Sequence, residues 1–162
     1  MHTMSDEFKD AMARFPTGVA VVTACDETGA PHGLTVSSLC SVSLDPPLLL
    51  ICVAKSARCS PVFERSAEFA VSLLRGHHTE LARRFATSTA EKFAGGGFAR
   101  TPRGGVVVED ALATLDCLVD GRYDAGDHTI LVGKVVDHRL ADGHGTPAVY
   151  VDRKFTTPSP AR

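Results

Sequence analysis

Strand-like runs follow one another along this chain with little helical pattern between them, and that order constrains the fold more than any other feature. Gly18–Ala24 is rich in β-branched residues and ends at the turn cluster Asp26-Glu-Thr-Gly29; His32–Ser38 follows as the second arm of a hairpin. Pro46-Pro47 leads into Leu48–Val53, a continuous apolar run of the kind expected for a strand buried on both faces. Glu68–Leu74, Ala111–Tyr123, Thr129–Leu140 and Ala148–Val151 read as further strands, the two long ones joined by Asp124-Ala-Gly-Asp127. Helical spacing is confined to short stretches. Phe8, Met12 and Phe15 mark one, with Ser5 as its cap and Pro16 and Gly18 as its stop. A second follows Ser56 or Ser60 as cap, where Pro61 suits a first helical position. The third is His77–Phe85, with Leu81 and Phe85 on one face. Thr87–Gly105, which holds Gly95-Gly96-Gly97, reads as a loop excursion. The strand–helix alternation of a parallel sheet is missing. A mainly β fold is therefore expected, an antiparallel barrel with a few short helices at its ends or edges.

At 162 residues the chain suits one domain over 1–162, with 1–7 and 156–162 expected as flexible tails. A domain of that size buries enough surface to stand without disulfides or metal. Its five cysteines are an odd set with no C-x-x-C pair, which favours buried free thiols. A net charge of −2 argues against a general nucleic-acid binder, which needs a basic excess. No run approaches the roughly 18 apolar residues of a membrane span. The polar start, Met1–Asp10, lacks the basic head and apolar core of a secretory signal, so a cytoplasmic location without membrane attachment is expected.

Familiar catalytic signatures are absent from the sequence. No G-x-G-x-x-G follows a strand, and neither a P-loop nor a G-x-S-x-G elbow occurs. His77-His78 reads as a solvated pair, because successive helical positions point about 100° apart and chelate poorly. Two neighbouring stretches carry more. Leu34–Ser43 crowds Thr35, Ser37, Ser38, Ser41 and Ser43 into one segment just before the apolar run. An edge strand accounts for such alternation; so does a polar slot for a planar, hydrogen-bonding ligand. Downstream, Lys55-Ser-Ala-Arg-Cys-Ser60 sets two cations and two hydroxyls at a helix start, where free N–H groups attract phosphate. Basic residues also outnumber acidic ones between Arg75 and Arg103, which would draw a dinucleotide anion. A phosphorylated ring cofactor fits both stretches.

Five motifs taken together resemble the short-chain flavin reductase family, the reductase components of two-component flavin-dependent monooxygenases, with the antibiotic-pathway members most similar. They are Met12-Ala-Arg-Phe-Pro-Thr-Gly-Val19, Gly33-Leu-Thr-Val-Ser-Ser38 running into Ser41-Val-Ser-Leu-Asp-Pro-Pro47, Glu91-Lys-Phe93, Gly126-Asp-His128 and Val149-Tyr-Val-Asp-Arg153. The resemblance implies a split β-barrel that forms a homodimer, with FAD or FMN in a groove near the subunit interface. It implies the isoalloxazine ring against Thr35, Val36, Ser37 and Ser38, with Ser41 following on the same stretch. The phosphate would lie near Ser56, Arg58 and Ser60, with backbone contacts from Cys52, Val53 and Ala54, and Lys92 and Phe93 approaching from the loop excursion. His128, Tyr150 and Arg153 are implied on the nicotinamide side, and the plain alternative for His128 is a turn histidine bonded to Asp127. The donor would be NADH, ahead of NADPH, and reduced flavin would pass to a partner monooxygenase. A non-enzymatic flavin-binding electron carrier on the same barrel is the competing reading. An oxidase acting on a phosphorylated small molecule is a third.

Overall fold

The computed structural model describes residues 3–88 and 91–160. Helix α1 spans Met4–Ala13 and so begins inside the segment expected as a tail. Thr3, rather than Ser5, caps it: its hydroxyl accepts the Asp6 N–H, and the Asp6 carboxylate accepts the Thr3 N–H and O–H. No α1 residue is buried, which leaves Met4, Phe8 and Met12 exposed. Then come β1 (Thr17–Gly18), β2 (Ala20–Cys25), β3 (Pro31–Val36), β4 (Cys40–Leu44) and β5 (Pro47–Ala54). They are followed by α2 (Ser60–Arg65), β6 (Glu68–Leu73) and α3 (Thr79–Phe85). The rest is β7 (Phe98–Arg100), β8 (Val106–Val108), β9 (Ala113–Ala125), β10 (His128–Leu140), β11 (Val149–Val151) and β12 (Lys154–Thr156).

The chain is mainly β with few, short helices, and every named strand pairing is antiparallel. Seven strands form the main sheet in the order β3-β2-β6-β9-β10-β5-β4. Among the described residues its end strands β3 and β4 are not paired with each other, so the sheet is open along that seam. One apolar cluster nevertheless collects Val22 of β2, Val36 of β3, Ile51 of β5, Val71 of β6, Cys117 of β9 and Leu131 of β10, with Phe63 of α2 beneath them. Strands from both halves of a sheet reach one cluster only if the sheet curls around it. A second cluster lies on the outer side, where α3 covers Val19 and Val21 with Ala82 and Phe85.

Several expectations change. The Gly18–Ala24 run divides at Val19: β1 pairs with β11, and β2 pairs with β3 and β6. Strand β5 is buried on one face only, because Leu49, Ile51 and Val53 enter the core while Leu48, Leu50 and Cys52 alternate to a half-covered outer face. Neither Ser56 nor Ser60 caps α2; Cys59 stands at that position without a side-chain cap bond. The loop excursion contains β7, which pairs with β8 just beyond its end, and the three valines of β8 are buried. Residues 89 and 90 of that excursion lie outside the described residues. Lys154–Thr156 folds back as β12 through a turn at Asp152 and Arg153, both at positive φ (49° and 59°), a two-residue hairpin connection.

Asp116 on β9 is buried at 7% exposure, and Thr101 donates its hydroxyl to it at 3.1 Å. Burial raises its carboxyl above the usual range despite that bond. Folding thus favours the protonated form: this stability is complete below the unfolded carboxylate pKa and lost as pH climbs through the raised folded value. Asp116→Asn is expected to melt above the wild type at neutral pH, with the difference shrinking in acid. Calorimetric melting across pH checks it; a variant that melts lower at every pH contradicts it.

Candidate functional site

A cleft of about 580 Å³ lies beside the unpaired edge of β3, a size typical of small-molecule sites. Pro31 to Thr35 form one wall and Ala54 with Ser56–Cys59 the facing one; Phe85–Ser88, Lys92 and Phe93 complete it. In an antiparallel pair, inward- and outward-bonding residues alternate. The hairpin bond from Asp26 N–H to Ala30 C=O sets the phase, so Ala24/His32 and Val22/Leu34 bond to each other across the pair. Gly33 and Thr35 therefore turn their backbone groups outward to the free edge. The Gly33 carbonyl is indeed taken from outside, by Lys92 Nζ at 2.9 Å. At Gly33 a Cβ would meet the Val22 carbonyl oxygen at 2.8 Å and Phe85 Cε1 at 3.0 Å, so only glycine lets this edge lie so close. Beyond that occupied carbonyl, the wall turns the Gly33 N–H and the Thr35 N–H and C=O outward, groups suited to the edge of a planar heterocycle.

Lys92 also donates to the Phe85 carbonyl at 3.1 Å. An ammonium has three donors, and the third remains for the cleft. Burial lowers the Lys92 pKa, and the neighbouring Arg58 charge adds to that. Arg58 is itself exposed and donates to the Ser88 carbonyl at 3.0 Å, joining two walls. Lys55, the other cation of the motif, is turned away to Asp124 and the Gly126 carbonyl in the β9–β10 turn. Cys59 is buried, and burial raises its thiol pKa, so it is an apolar wall.

Of the residues expected at the site, the fold brings Thr35, Ala54, Ser56, Arg58, Lys92 and Phe93 to this cleft. Thr35 donates its hydroxyl to the Ala82 carbonyl at 2.7 Å, which ties β3 to α3 and leaves its backbone and oxygen lone pairs for a ligand. Ser38 accepts the Cys52 N–H at 3.0 Å, bracing β5. Val36 and Val53 are core side chains; Ser37 and Ser41 are exposed on the loop and on β4. Ser60 is 2% exposed and bonds Glu64 at 3.3 Å, so its hydroxyl is not part of the cleft lining. His128 is the cross-strand neighbour of Ala54, but its Nδ1–H donates to Asp127 at 2.7 Å, as in the plain alternative. Tyr150 packs on Phe155 and Arg153 pairs with Asp10 at 2.6 Å, both away from the lining.

Two histidine arrangements were not foreseen. His77, His78 and Asp110 place their ligand atoms within 4.8 Å of one another. His78 Nδ1, however, accepts the Arg75 N–H at 2.9 Å, so a neutral ring keeps its proton on Nε2 and donates it to Asp110 at 2.7 Å. A metal on Nε2 would need that proton gone and Nδ1 protonated instead, which the Arg75 bond forbids. The cluster is a cap, closed to metal. The second arrangement is His32, on the cleft wall, whose Nε2–H donates to Asp26 at 2.8 Å. The sequence signal is the hairpin itself, since pairing of Cys25 with Pro31 leaves Asp26 and His32 diagonal to each other across that pair.

The family model of the flavin reductase like domain matches residues 12–159. The actinorhodin polyketide dimerase of Streptomyces coelicolor is 56% identical over 147 residues, covering 91% of this chain and 82% of that protein. The NADH:riboflavin 5'-phosphate oxidoreductase of Streptomyces pristinaespiralis is 40% identical over 154 residues, covering 94% and 88%. The solved NADH:FAD oxidoreductase of Streptomyces globisporus, in complex with NAD and FAD fragments, superposes with a TM-score of 0.90 at 31% identity, covering 99% of this chain and 97% of that one. An open-edged cleft on an antiparallel sheet, with a match of this length around it, leads to one conclusion: the chain belongs to the family of the flavin reductase like domain.

Proposed function

We propose that this chain is an NAD(P)H:flavin oxidoreductase that reduces FAD or FMN and supplies the reduced flavin to a partner monooxygenase in secondary-metabolite biosynthesis. The observation that carries the reading is the outward-turned edge of β3 at Gly33 and Thr35, with Lys92 spanning it and Arg58 opposite. The residues fit the group: free backbone donors and acceptors for a heterocycle on one wall, a guanidinium and the Ser56 hydroxyl for a phosphate on the other. A bound flavin supplies the acceptor for a hydride from the nicotinamide. The chain's own task is to hold two rings at reacting distance and keep water from between them. Family members that serve as reductase components of two-component systems support the partner role.

The finer architecture belongs to the same proposal. Curling of the open sheet around one cluster supports the split barrel. The uncovered Phe8, Met12 and Phe15 near α1 and Leu44 on β4, together with the half-covered outer face of β5, support a homodimer, since exposed apolar patches mark contact surfaces. The nicotinamide contacts of His128, Tyr150 and Arg153 remain part of this reading; within one chain these side chains stand outside the cleft.

The test is calorimetric titration with FMN and with riboflavin, which lacks the phosphate. Wild type is expected to bind both. Arg58→Ala and Ser56→Ala are expected to weaken FMN about five- to tenfold and leave riboflavin unchanged. No uptake of either flavin contradicts the reading; equal losses for both contradict the phosphate assignment.

A further inference from the structure

His32 lies in the cleft wall between Pro31 and Gly33, its side chain 37% exposed. Its ring is oriented by Asp26, whose Oδ2 accepts the Nε2–H. Asp26 is fixed in turn: its Oδ1 accepts the Thr28 N–H at 2.9 Å, the Thr28 hydroxyl at 2.6 Å and the Ala30 N–H at 3.1 Å. Those bonds, led by the Thr28 hydroxyl and the His32 ring, hold its carboxyl well below the usual range. A carboxylate so anchored keeps the imidazole proton on Nε2, and a neutral ring then presents Nδ1 as a bare acceptor. Among the described residues nothing donates to Nδ1.

We infer that His32 Nδ1 accepts a hydrogen bond from a sugar-type hydroxyl of the bound ligand, with Asp26 as the residue that positions it. This rests on the flavin reductase reading of the cleft. The chemistry excludes the phosphate, which when ionised has no proton to give, whereas a polyol chain or ribose offers several; a ring N–H as the donor would instead give equal losses for riboflavin and lumiflavin. Two sources share that group, the ribityl chain of the flavin and a ribose of the nicotinamide dinucleotide. The lysine and arginine of the cleft are donors only, so His32 adds the acceptor they lack.

The experiment compares wild type, His32→Leu, His32→Gln and Asp26→Asn. It measures fluorescence titrations with riboflavin and with lumiflavin, which has a methyl group in place of the ribityl chain, and the KM for NADH at saturating flavin. Wild type is expected to bind both flavins; if it binds neither, the underlying reading and this inference fall together. If the ribityl chain is the donor, His32→Leu weakens riboflavin about three- to tenfold and leaves lumiflavin unchanged. If the ribose is the donor, both flavins bind as before and the KM for NADH rises by a similar factor with kcat unchanged. His32→Gln, which keeps an acceptor, recovers most of either loss. Nitrogen NMR of the labelled imidazoles is expected to find His32 protonated at Nε2 in the ligand-free wild type and to lose that preference in Asp26→Asn. Equal losses for riboflavin and lumiflavin, unchanged values throughout, or a proton on Nδ1 in the wild type would each overturn the inference while the flavin reading stands.

Discussion

Phe85→Ala is expected to cost about 3–5 kcal/mol of folding stability and to abolish flavin uptake together with it. Phe85 ends α3 at 1% exposure, and its ring meets Phe93 edge-on at 5.0 Å and Phe98 at 5.8 Å. It touches three things at once: the outer core, the underside of Gly33, and the loop that carries Lys92. Alanine would leave a cavity there and release Phe93 and Phe98, whose edge contacts add to simple burial. Since whole domains hold only about 5–15 kcal/mol, that loss takes a large share. Denaturant melts read the stability and titration with FMN reads the site. Phe85→Leu, which keeps most of the volume, is expected to recover both. A loss below about 1 kcal/mol for Phe85→Ala contradicts the packing described.

Lys92→Met should act in the opposite proportion. Its ammonium bonds the Gly33 and Phe85 carbonyls, yet burial still lowers its pKa. The sign matters: a folded pKa below the unfolded one means that charging this lysine works against folding at neutral pH, since the associated stability is complete only above the unfolded pKa and is lost as pH falls through the folded value. Removing the charge therefore relieves a desolvation cost that offsets the lost bonds, and the melting temperature is expected to move little. The remaining donor, however, is lost to the ligand. A hydrogen bond from a charged group contributes about 1.5–3 kcal/mol, so FMN affinity is expected to fall about ten- to hundredfold. Titration with FMN beside a thermal melt separates the two; a large drop in melting temperature with unchanged affinity would make Lys92 a structural tie.

What could be read from the residues was what is local. The turn cluster Asp26–Gly29 and the turn Asp124–Asp127 each sit between alternating runs, and the β2–β3 and β9–β10 hairpins follow from them. The apolar run of β5 was legible as a strand but not as a one-faced one, because a continuous apolar sequence does not tell whether its second face meets the core or the outside. The β7–β8 hairpin was hidden because Phe93, Phe98 and Val106–Val108 are spread through glycine-rich chain, and only tertiary packing, with Phe85 against both rings and Val108 in the same cluster, makes anchors of them. At the site, the hydroxyl-rich and cationic stretches do meet, but through different atoms than their composition suggests. Thr35 and Ser38 brace the frame, Lys55 goes to the far turn, and the outward backbone of Gly33 and Thr35 faces the cleft. Which partner a hydroxyl or ammonium finds is decided by register, and register is not written in composition.

The central claim is that the cleft beside the free edge of β3 accepts a flavin, lets a nicotinamide reduce it and releases it again. The most direct measurement is an anaerobic count: a small amount of protein, a large excess of FMN or FAD, and NADH or NADPH, following the bleaching of flavin absorbance. Many flavins reduced per chain is the predicted result; bleaching that halts at one flavin per chain, as for a carrier that never lets go, or none beyond the protein-free control, would contradict it.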